Sequence, residues 1–253
     1  MDEISLPIYL LASIFFIIAF AYSSLGLGGA STYTALMAIV GMNYLIIPTL
    51  SLILNIFVTS IGSFNFIRQK HARLDLIVPF IVSSMPMAYV GGSLTLPKEI
   101  FYGVLLVTLV FVSIKIFLMR DMSYHLNLTR ARQIMLSLLS GGVLGLIAGI
   151  VGIGGGIYLV PLIIILGLGT IKEAAACSAI FVWLNSASGL AARLQRHPVE
   201  LLDYVPIIVA VILGAALGSY FGSRRFSPVV MEKILGVIIL FAIGFLLRKL
   251  LLQ

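Results

Sequence analysis

Runs of about twenty apolar residues recur along the whole chain, and charged residues are rare within them. A run of this length crosses the hydrocarbon core of a bilayer as a helix, whereas a β-barrel would need alternating polarity. Hydrophobic residues make up 61% of the sequence and charged residues 10%, which is outside the range of soluble domains. We therefore predict an all-α polytopic membrane protein, with several passes through the lipid bilayer of the cell membrane.

Two glycine runs interrupt the apolar pattern, at residues 26–29 and at residues 152–156. Glycine costs about 1 kcal/mol relative to alanine inside a helix, so each run predicts a break. Each break is followed by an apolar piece of half the usual length, Ala30–Val40 and Ile157–Leu166. Because broken backbone at membrane depth is tolerated only where it packs in protein or lines a wet cavity, the two breaks form the predicted functional centre.

The hydropathy pattern predicts about eight full transmembrane helices in addition to the two short half-helices. The predicted full spans are Ile4–Leu25, Pro48–Ile67, Leu74–Leu94, Ile100–Leu118, Ile134–Val151, Ala174–Leu194, Tyr204–Gly222 and Val229–Leu247. The most polar link, residues 120–133, separates a first transmembrane repeat, residues 1–119, from a second, residues 134–253.

The second half of the sequence repeats the first at a spacing of 126 to 127 residues. The matched pairs are Gly41 and Gly167, Ser51 and Ser178, Gly62 and Gly189, Pro79 and Pro206, and Gly91 and Gly218. This register indicates an internal duplication, which is common among transporters. If the short pieces re-enter the membrane, the halves are parallel; if they cross it, the halves are inverted. We expect inversion, which suits the acidic amino terminus, although the lysine and arginine counts do not decide.

Acidic residues, histidines, lysines and arginines are confined to the links between spans or to the span ends. The acidic residues are Asp2, Glu3, Asp75, Glu99, Asp121, Glu173, Glu200, Asp203 and Glu232. The histidines are also in links, and Lys115 and Arg193 are close enough to span ends to snorkel. The membrane interior is thus expected to hold no formal charge, which disfavours cation pumps, metalloproteases and serine hydrolases.

The net charge of +7 comes from residues that lie almost entirely between the spans, as the positive-inside rule describes. No basic face is interleaved with aromatic residues, so no nucleic-acid partner is expected. The single cysteine, Cys177, excludes an internal disulfide and a cysteine-based metal cluster. We predict no catalytic residues, no metal, no cofactor and no enzymatic activity. A homo-oligomer is left open.

Hydroxyls, amides and backbone groups remain as candidate ligands at membrane depth. The two half-helices begin at the glycine breaks, and helix amino termini with their free N–H groups bind anions. The predicted substrate-binding residues are Gly28, Gly29, Ala30, Ser31, Thr32, Ser51, Asn55, Gly154, Gly155, Gly156, Tyr158, Ser178 and Asn185. The alternative is structural: glycines that only pack, and serines that bond to their own helix.

The two-fold repeat, the paired glycine runs and the motif Gly154-Gly155-Gly156-x-x-x-x-Pro161 resemble the sulfite exporter TauE/SafE family of membrane transporters. The first copy departs from this motif, with Ala30 in place of a glycine and Ala35 in place of the proline. The resemblance implies transport of small sulfur-containing anions such as sulfite, sulfoacetate or other organosulfonates. A passive anion channel and a structural membrane subunit or chaperone are the alternatives.

Overall fold

The computed structural model describes residues 7–24, 28–68, 73–118, 129–196, 201–225 and 228–251, and these residues form helices without strands. The helices are α1 (Ile8–Ser24), α2 (Ala30–Ile39), α3 (Ile46–Arg68), α4 (Leu74–Ser93), α5 (Lys98–Leu118), α6 (Arg130–Val151), α7 (Gly156–Ile165), α8 (Ile171–Arg196), α9 (Val205–Arg225) and α10 (Pro228–Leu251), with a 3-10 turn at Leu202–Tyr204. The predicted all-α class is confirmed, and each predicted span overlaps one helix.

Six of these helices are long and apolar enough to cross a membrane within the described residues: α3, α4, α5, α6, α8 and α9. Shorter apolar helices occur at α1, α2 and α7 and over Gly236–Arg248 within α10. A protein with several membrane-spanning helices is therefore established, while the count of eight full spans stays a prediction. Large apolar side chains such as Ile17, Phe111 and Phe241 are exposed on the outer faces, as lipid contact requires.

Glycines set the ends of the two half-helices. Helix α2 is followed by Gly41 with a φ of 77°, and α7 by Gly167 with a φ of 65°. The amide of Met42 then bonds to the carbonyl of Met37, which closes α2 with a Schellman motif. The same pattern closes α7. Both half-helices have ten residues.

Glycine-lined faces bring four helices into close parallel pairs. A Cβ on Gly145 of α6 would be 2.2 Å from the carbonyl oxygen of Ser84 on α4, and one on Gly218 of α9 would be 2.2 Å from that of Phe20 on α1. The other contacts of this kind are Gly141 on Phe80, Gly149 on Ala88 and Gly214 on Phe16. Residue numbers rise together along each pair, so α6 is parallel to α4 and α9 is parallel to α1. These backbone approaches require the absence of a side chain.

Helices α3 and α8 cross the centre of the bundle in opposite directions. Asn55 on α3 contacts Ser186 on α8, and Ser60 accepts a hydrogen bond from Trp183 Nε1 at 2.9 Å. Numbers rise on one helix as they fall on the other, so the two helices begin at opposite ends of the bundle. Short links join α2 to the start of α3 and α7 to the start of α8. Helices α2 and α7 therefore run away from each other towards opposite ends.

Candidate binding site at the two glycine breaks

The two glycine breaks meet at one pocket in the middle of the bundle. The pocket is lined by Gly28, Ser31, Ile153, Gly156, Ile157, Ser178 and Val182. The pocket lies about half-way along the bundle. Its residue Gly28 adjoins Asn55 and Val182, which are near the midpoints of the long helices α3 and α8. The free space has room for about one water molecule. The pocket is thus preformed in outline and nearly closed in this conformation.

The second break owes its shape to left-handed backbone. Gly152, Gly154 and Gly155 have φ values of 83°, 75° and 76°, which side chains with a Cβ rarely adopt. Space is limiting as well, because a Cβ on Gly156 would be 2.3 Å from Val182 Cγ2. A side chain at this break would therefore strain the backbone or fill the pocket.

The first break is built differently. Gly29 caps α2 with a φ of −84°, a value that any residue can adopt. Its missing side chain makes room for Tyr33, since a Cβ there would be 2.7 Å from the Tyr33 hydroxyl oxygen. A Cβ on Gly28 would be 3.1 Å from Asn55 Oδ1. Ala30 follows as the first residue of α2 and is fully buried.

The two half-helices present their amino termini to the same place from opposite sides. The first intrahelical donors near the start of α2 are the amides of Thr32 and Tyr33, which bond to Gly29 O, and in α7 the amide of Tyr158 bonds to Gly155 O. The N–H groups before them have no acceptor within their own helix. Each terminus carries about half a positive charge. No acidic side chain among the described residues lines the pocket, so the local field favours an anion.

Two predicted serines hold the backbone of the second break. Ser51 Oγ donates to the carbonyl of Gly152 at 2.9 Å, and Ser178 Oγ donates to that of Gly156 at 2.9 Å. Ser178 also lines the pocket, whereas Ser51 does not. Both hydroxyls fix carbonyl groups, so the N–H groups of the break remain the donors that a ligand would meet.

Tyr22 was missed by the sequence argument. Its hydroxyl is 2.7 Å from Thr32 Oγ1 and 3.2 Å from Ser31 Oγ, and its side chain is buried. This arrangement ties the first turn of α2 to α1. An aromatic residue inside an apolar span usually indicates core packing, and no spacing rule relates residue 22 to residues 31 and 32 before α1 and α2 are folded together.

Buried amides near the breaks have unmet hydrogen-bonding capacity. Asn55 Nδ2 reaches Ser186 Oγ at 3.5 Å, while Asn55 Oδ1 and both amide atoms of Asn185 have no partner among the described residues. The buried hydroxyl of Tyr33, beside Gly29, is also unpaired there. Leaving a buried polar group without a hydrogen-bond partner costs about 1–3 kcal/mol. Such unpaired groups are typical of sites where a ligand or water completes the hydrogen bonds.

Two predicted residues face away from the pocket. The hydroxyl of Tyr158 donates to the carbonyl of Thr108 on α5. Gly155 faces Phe181 and Leu144, since a Cβ on it would be 3.2 Å from Phe181 Cε1. Their roles here are to connect α7 to α5 and to turn the backbone.

Arg193 departs from the expectation that it snorkels from the end of its span. Its side chain is only 4% exposed. The guanidinium donates to the carbonyls of Gly149 and Ile150 at the end of α6, at 2.6 to 3.2 Å. It does not line the central pocket, but a separate cavity. One ionised group therefore lies inside the bundle, which the sequence argument did not foresee.

Comparisons with known proteins agree over nearly the full length. The family model described as "Sulfite exporter TauE/SafE" matches residues 11–246. A protein of Sinorhizobium fredii named "Probable membrane transporter protein" is 31% identical over 233 residues, which cover 91% of this chain and 94% of the relative. A protein of Methanocaldococcus jannaschii with the same description is 25% identical over 268 positions, covering 94% and 96%. No solved structure gives a significant match.

Proposed function

The chain belongs to the sulfite exporter TauE/SafE family, and on this basis we propose that it is a secondary transporter that exports small sulfur-containing anions. Its relatives are named as membrane transporters, so the protein is a multi-pass membrane transporter and not an enzyme. Sulfite, sulfoacetate and other organosulfonates are the proposed substrates, since all are compact and carry sulfur-bound oxygen acceptors.

One observation supports the substrate class: two helix amino termini face each other across a pocket that no acidic side chain lines within the part of the chain that the structure describes. Peptide N–H groups and the hydroxyl of Ser31 can surround an oxyanion and hold it by neutral hydrogen bonds. A ligand held in this way can also leave, which transport demands.

The proposed mechanism is alternating access between two inverted halves. The chain course supports it, because α2 and α7 run in opposite directions and both close with a Schellman motif. The long helices support it too, because α1 packs on α9 as α6 packs on α4. The nearly filled pocket corresponds to a closed intermediate, so the halves must rock apart to admit an anion.

Charge distribution supports one orientation in the membrane. One end of the bundle, which we name the basic end, is where α3, α5, α7 and α9 finish. Nine described residues carry positive charge there: Arg68, Arg73, Lys115, Arg130, Arg132, Lys172, Arg224, Arg225 and Lys233. Five lie towards the opposite end, which we name the far end: Lys98, Arg193, Arg196, Arg248 and Lys249. By the positive-inside rule the basic end is cytoplasmic. A negative interior then favours anion export by about 2.3 kcal/mol per charge per 100 mV.

The experiment is uptake of labelled sulfite and sulfoacetate by purified protein in sealed liposomes, with an inside-positive potential drawing the anion inwards. We expect saturable uptake by the wild-type protein and loss of it in Gly156→Val, whose side chain would occupy the pocket. Gly62→Ala on α3 is the matched control, because a Cβ there has no atom within 4 Å. Uptake that is equal in Gly156→Val and wild type would refute the site.

Electrical recording separates this proposal from its main rival. A carrier moves its substrate slowly and gives no unitary currents, whereas a passive anion channel gives conductance steps in a planar bilayer. Conductance steps with sulfite as the only permeant anion would replace the transporter by a channel. A stable partner protein without any uptake would indicate a structural subunit instead.

A further inference from the structure

We propose that Arg193 forms a second anion site at the far end of the bundle, where the transported oxyanion docks on its way to or from the central pocket. The proposal rests on the transport function given above. The side chain of Arg193 is only 4% exposed, which is unusual for a cation inside a membrane protein. Its guanidinium bonds to Gly149, close to the glycine break that lines the central pocket.

The hydrogen bonds of Arg193 leave part of its guanidinium unused. Nε donates to the carbonyl of Gly149, and Nη2 donates to the carbonyls of Gly149 and Ile150. A guanidinium has five N–H donors, so these bonds account for three. Nη1 donates to none of the described residues, and its two N–H groups are available to a ligand.

The positive charge of Arg193 also lacks a carboxylate. Arg73 at the basic end shows the usual arrangement, with Asp75 and Glu173 as ion-pair partners. Among the described residues, no acidic side chain forms an ion pair with Arg193. Helix carbonyls supply only partial negative charge. A buried cation without a counter-charge is costly unless an anion joins it, and an oxyanion would provide both the charge and the acceptors for Nη1.

A cavity lies beside the guanidinium. Its lining includes Pro48, Thr95, Phe101, Ile150 and Arg193. These residues belong to the starts of α3 and α5, the ends of α6 and α8 and the links next to them, so the cavity is at the far end of the bundle. Its free space in this conformation is about that of one water molecule. The α2–α3 and α4–α5 links that line it would therefore have to move outwards before an oxyanion could bind.

The cavity adjoins the second glycine break. Pro48 lines it, and Pro48 also packs on Gly152, where a Cβ would be 2.7 Å from the Cα of Pro48. Ile150 lines it as well, only a few residues before the glycines of the central pocket. An anion released by the central site towards the far end would therefore meet the guanidinium next.

The competing explanation is that Arg193 only caps the carbonyls at the end of α6. The test separates charge from hydrogen bonding with Arg193→Cys in a Cys177→Ala background, where residue 193 holds the only thiol. Methanethiosulfonate reagents then attach either a trimethylammonium or a sulfonate group at that position. The readout is the KM and kcat for sulfite in liposomes, with the reagent applied from the side of the far end.

An outer anion site predicts that Arg193→Cys raises KM by about tenfold, the value of one charge-assisted hydrogen-bonded contact. The trimethylammonium adduct should restore KM, although it cannot cap carbonyls because it has no N–H group. The sulfonate adduct should raise KM further. An unchanged KM in Arg193→Cys, or equal recovery with both adducts, would overturn the proposal and leave Arg193 as a cap. Arg193→Lys, which keeps the charge, is the variant to use if the cysteine protein does not fold.

A lipid phosphate has the same chemistry as a sulfur oxyanion, so the lipid is varied too. In galactolipid vesicles, which lack phosphate, an outer substrate site still gives the KM increase of Arg193→Gln. If a lipid headgroup is the occupant, the Tm of the wild-type protein falls on transfer from phospholipid to galactolipid, whereas the Tm of Arg193→Gln does not. In that case the KM values of wild type and Arg193→Gln are equal in galactolipid, and this result overturns the proposal. Absence of any wild-type uptake would instead refute the proposed function itself.

Discussion

The second glycine break turns the chain with three left-handed glycines, whereas the glycine that caps the first short helix has an ordinary φ of −84°. At the second break the backbone dihedral angles of the glycines determine the shape, and Ser51 and Ser178 donate hydrogen bonds to its carbonyls. At the first break the shape depends on side chains, with Tyr22 bonded to Ser31 and Thr32. Two breaks that serve one pocket can therefore be disabled by different kinds of substitution.

This contrast explains how the first break manages with fewer glycines. Ala30 begins α2 in ordinary helical conformation, fully buried, so a methyl group is acceptable there. Its counterpart in the second half, Gly156, could not carry one, because Val182 is too close. The alanine at position 30, where the family motif has glycine, thus follows from local space.

The largest expected effect comes from adding one methyl group at corresponding glycines of the two breaks. Gly154→Ala meets a left-handed penalty of about 1–2 kcal/mol and places Cβ 2.7 Å from Asn55 Nδ2. Gly28→Ala has no left-handed φ and places Cβ 3.1 Å from Asn55 Oδ1. We expect sulfite uptake to fall by about tenfold or more in Gly154→Ala, as about 1.4 kcal/mol per decade implies, and clearly less in Gly28→Ala.

Liposome uptake rates normalised to folded protein measure this difference, with Gly244→Ala as a glycine control in open space. Equal losses at positions 28 and 154 would show that the backbone conformation of the second break is not what distinguishes it.

The next effect concerns Ser178, whose hydroxyl holds the backbone of the second break. Ser178→Ala removes the hydroxyl that bonds to Gly156 O, a hydrogen bond with a net value of about 1 kcal/mol. We expect a lower melting temperature and a raised KM for sulfite. Ser178→Thr, which keeps the hydroxyl, should bring the KM part of the way back to the wild-type value. A KM that is unaffected by Ser178→Ala would show that Ser178 does not contribute to the site.

A smaller effect is expected from the hydroxyl network of the first break. Tyr22→Phe keeps the ring in the core and deletes the bonds to Ser31 and Thr32. The net value of such bonds is about 1 kcal/mol, so KM should rise by roughly fivefold with little loss of folding. Double substitution with Ser31→Ala tests this reading, because the two changes should not add if they break the same interaction.

The smallest effect is expected at Tyr158, which the sequence argument placed in the site. Its hydroxyl bonds to Thr108 O on α5, and its side chain does not line the pocket. Tyr158→Phe should lower the melting temperature slightly and leave the KM for sulfite within about twofold of wild type, since about 0.4 kcal/mol corresponds to such a factor. A large KM increase would return Tyr158 to the site.

Local patterns made much of this architecture predictable. Glycine disfavours helix, and the densest glycine runs, at residues 26–29 and 152–156, predict breaks, so the starts of α2 at Ala30 and of α7 at Gly156 follow from sequence almost to the residue. The recurrence of both breaks also predicted one functional centre; Gly28 and Gly156 line the same pocket, and its use as a binding site stays a prediction.

Contacts between distant helices could not be predicted in the same way. The burial of Arg193 depends on the end of α6 lying beside the end of α8, which no local rule gives. The direction of the short helices was undecided for a similar reason, because it follows from the antiparallel crossing of α3 and α8. Until that direction is known, charged residues cannot be assigned to a side of the membrane.

The pairing of α1 with α9 has a consequence for biogenesis. The ribosome produces α1 well before the glycine face on which α1 packs, Gly214 and Gly218 of α9. Until then the face of α1 that packs on α9 has no partner helix, although α1 can already contact α2 and α3. Nascent chains arrested before α9 should consequently remain susceptible to crosslinking from α1 to lipids or insertion factors, and that susceptibility should vanish once the ninth helix is released.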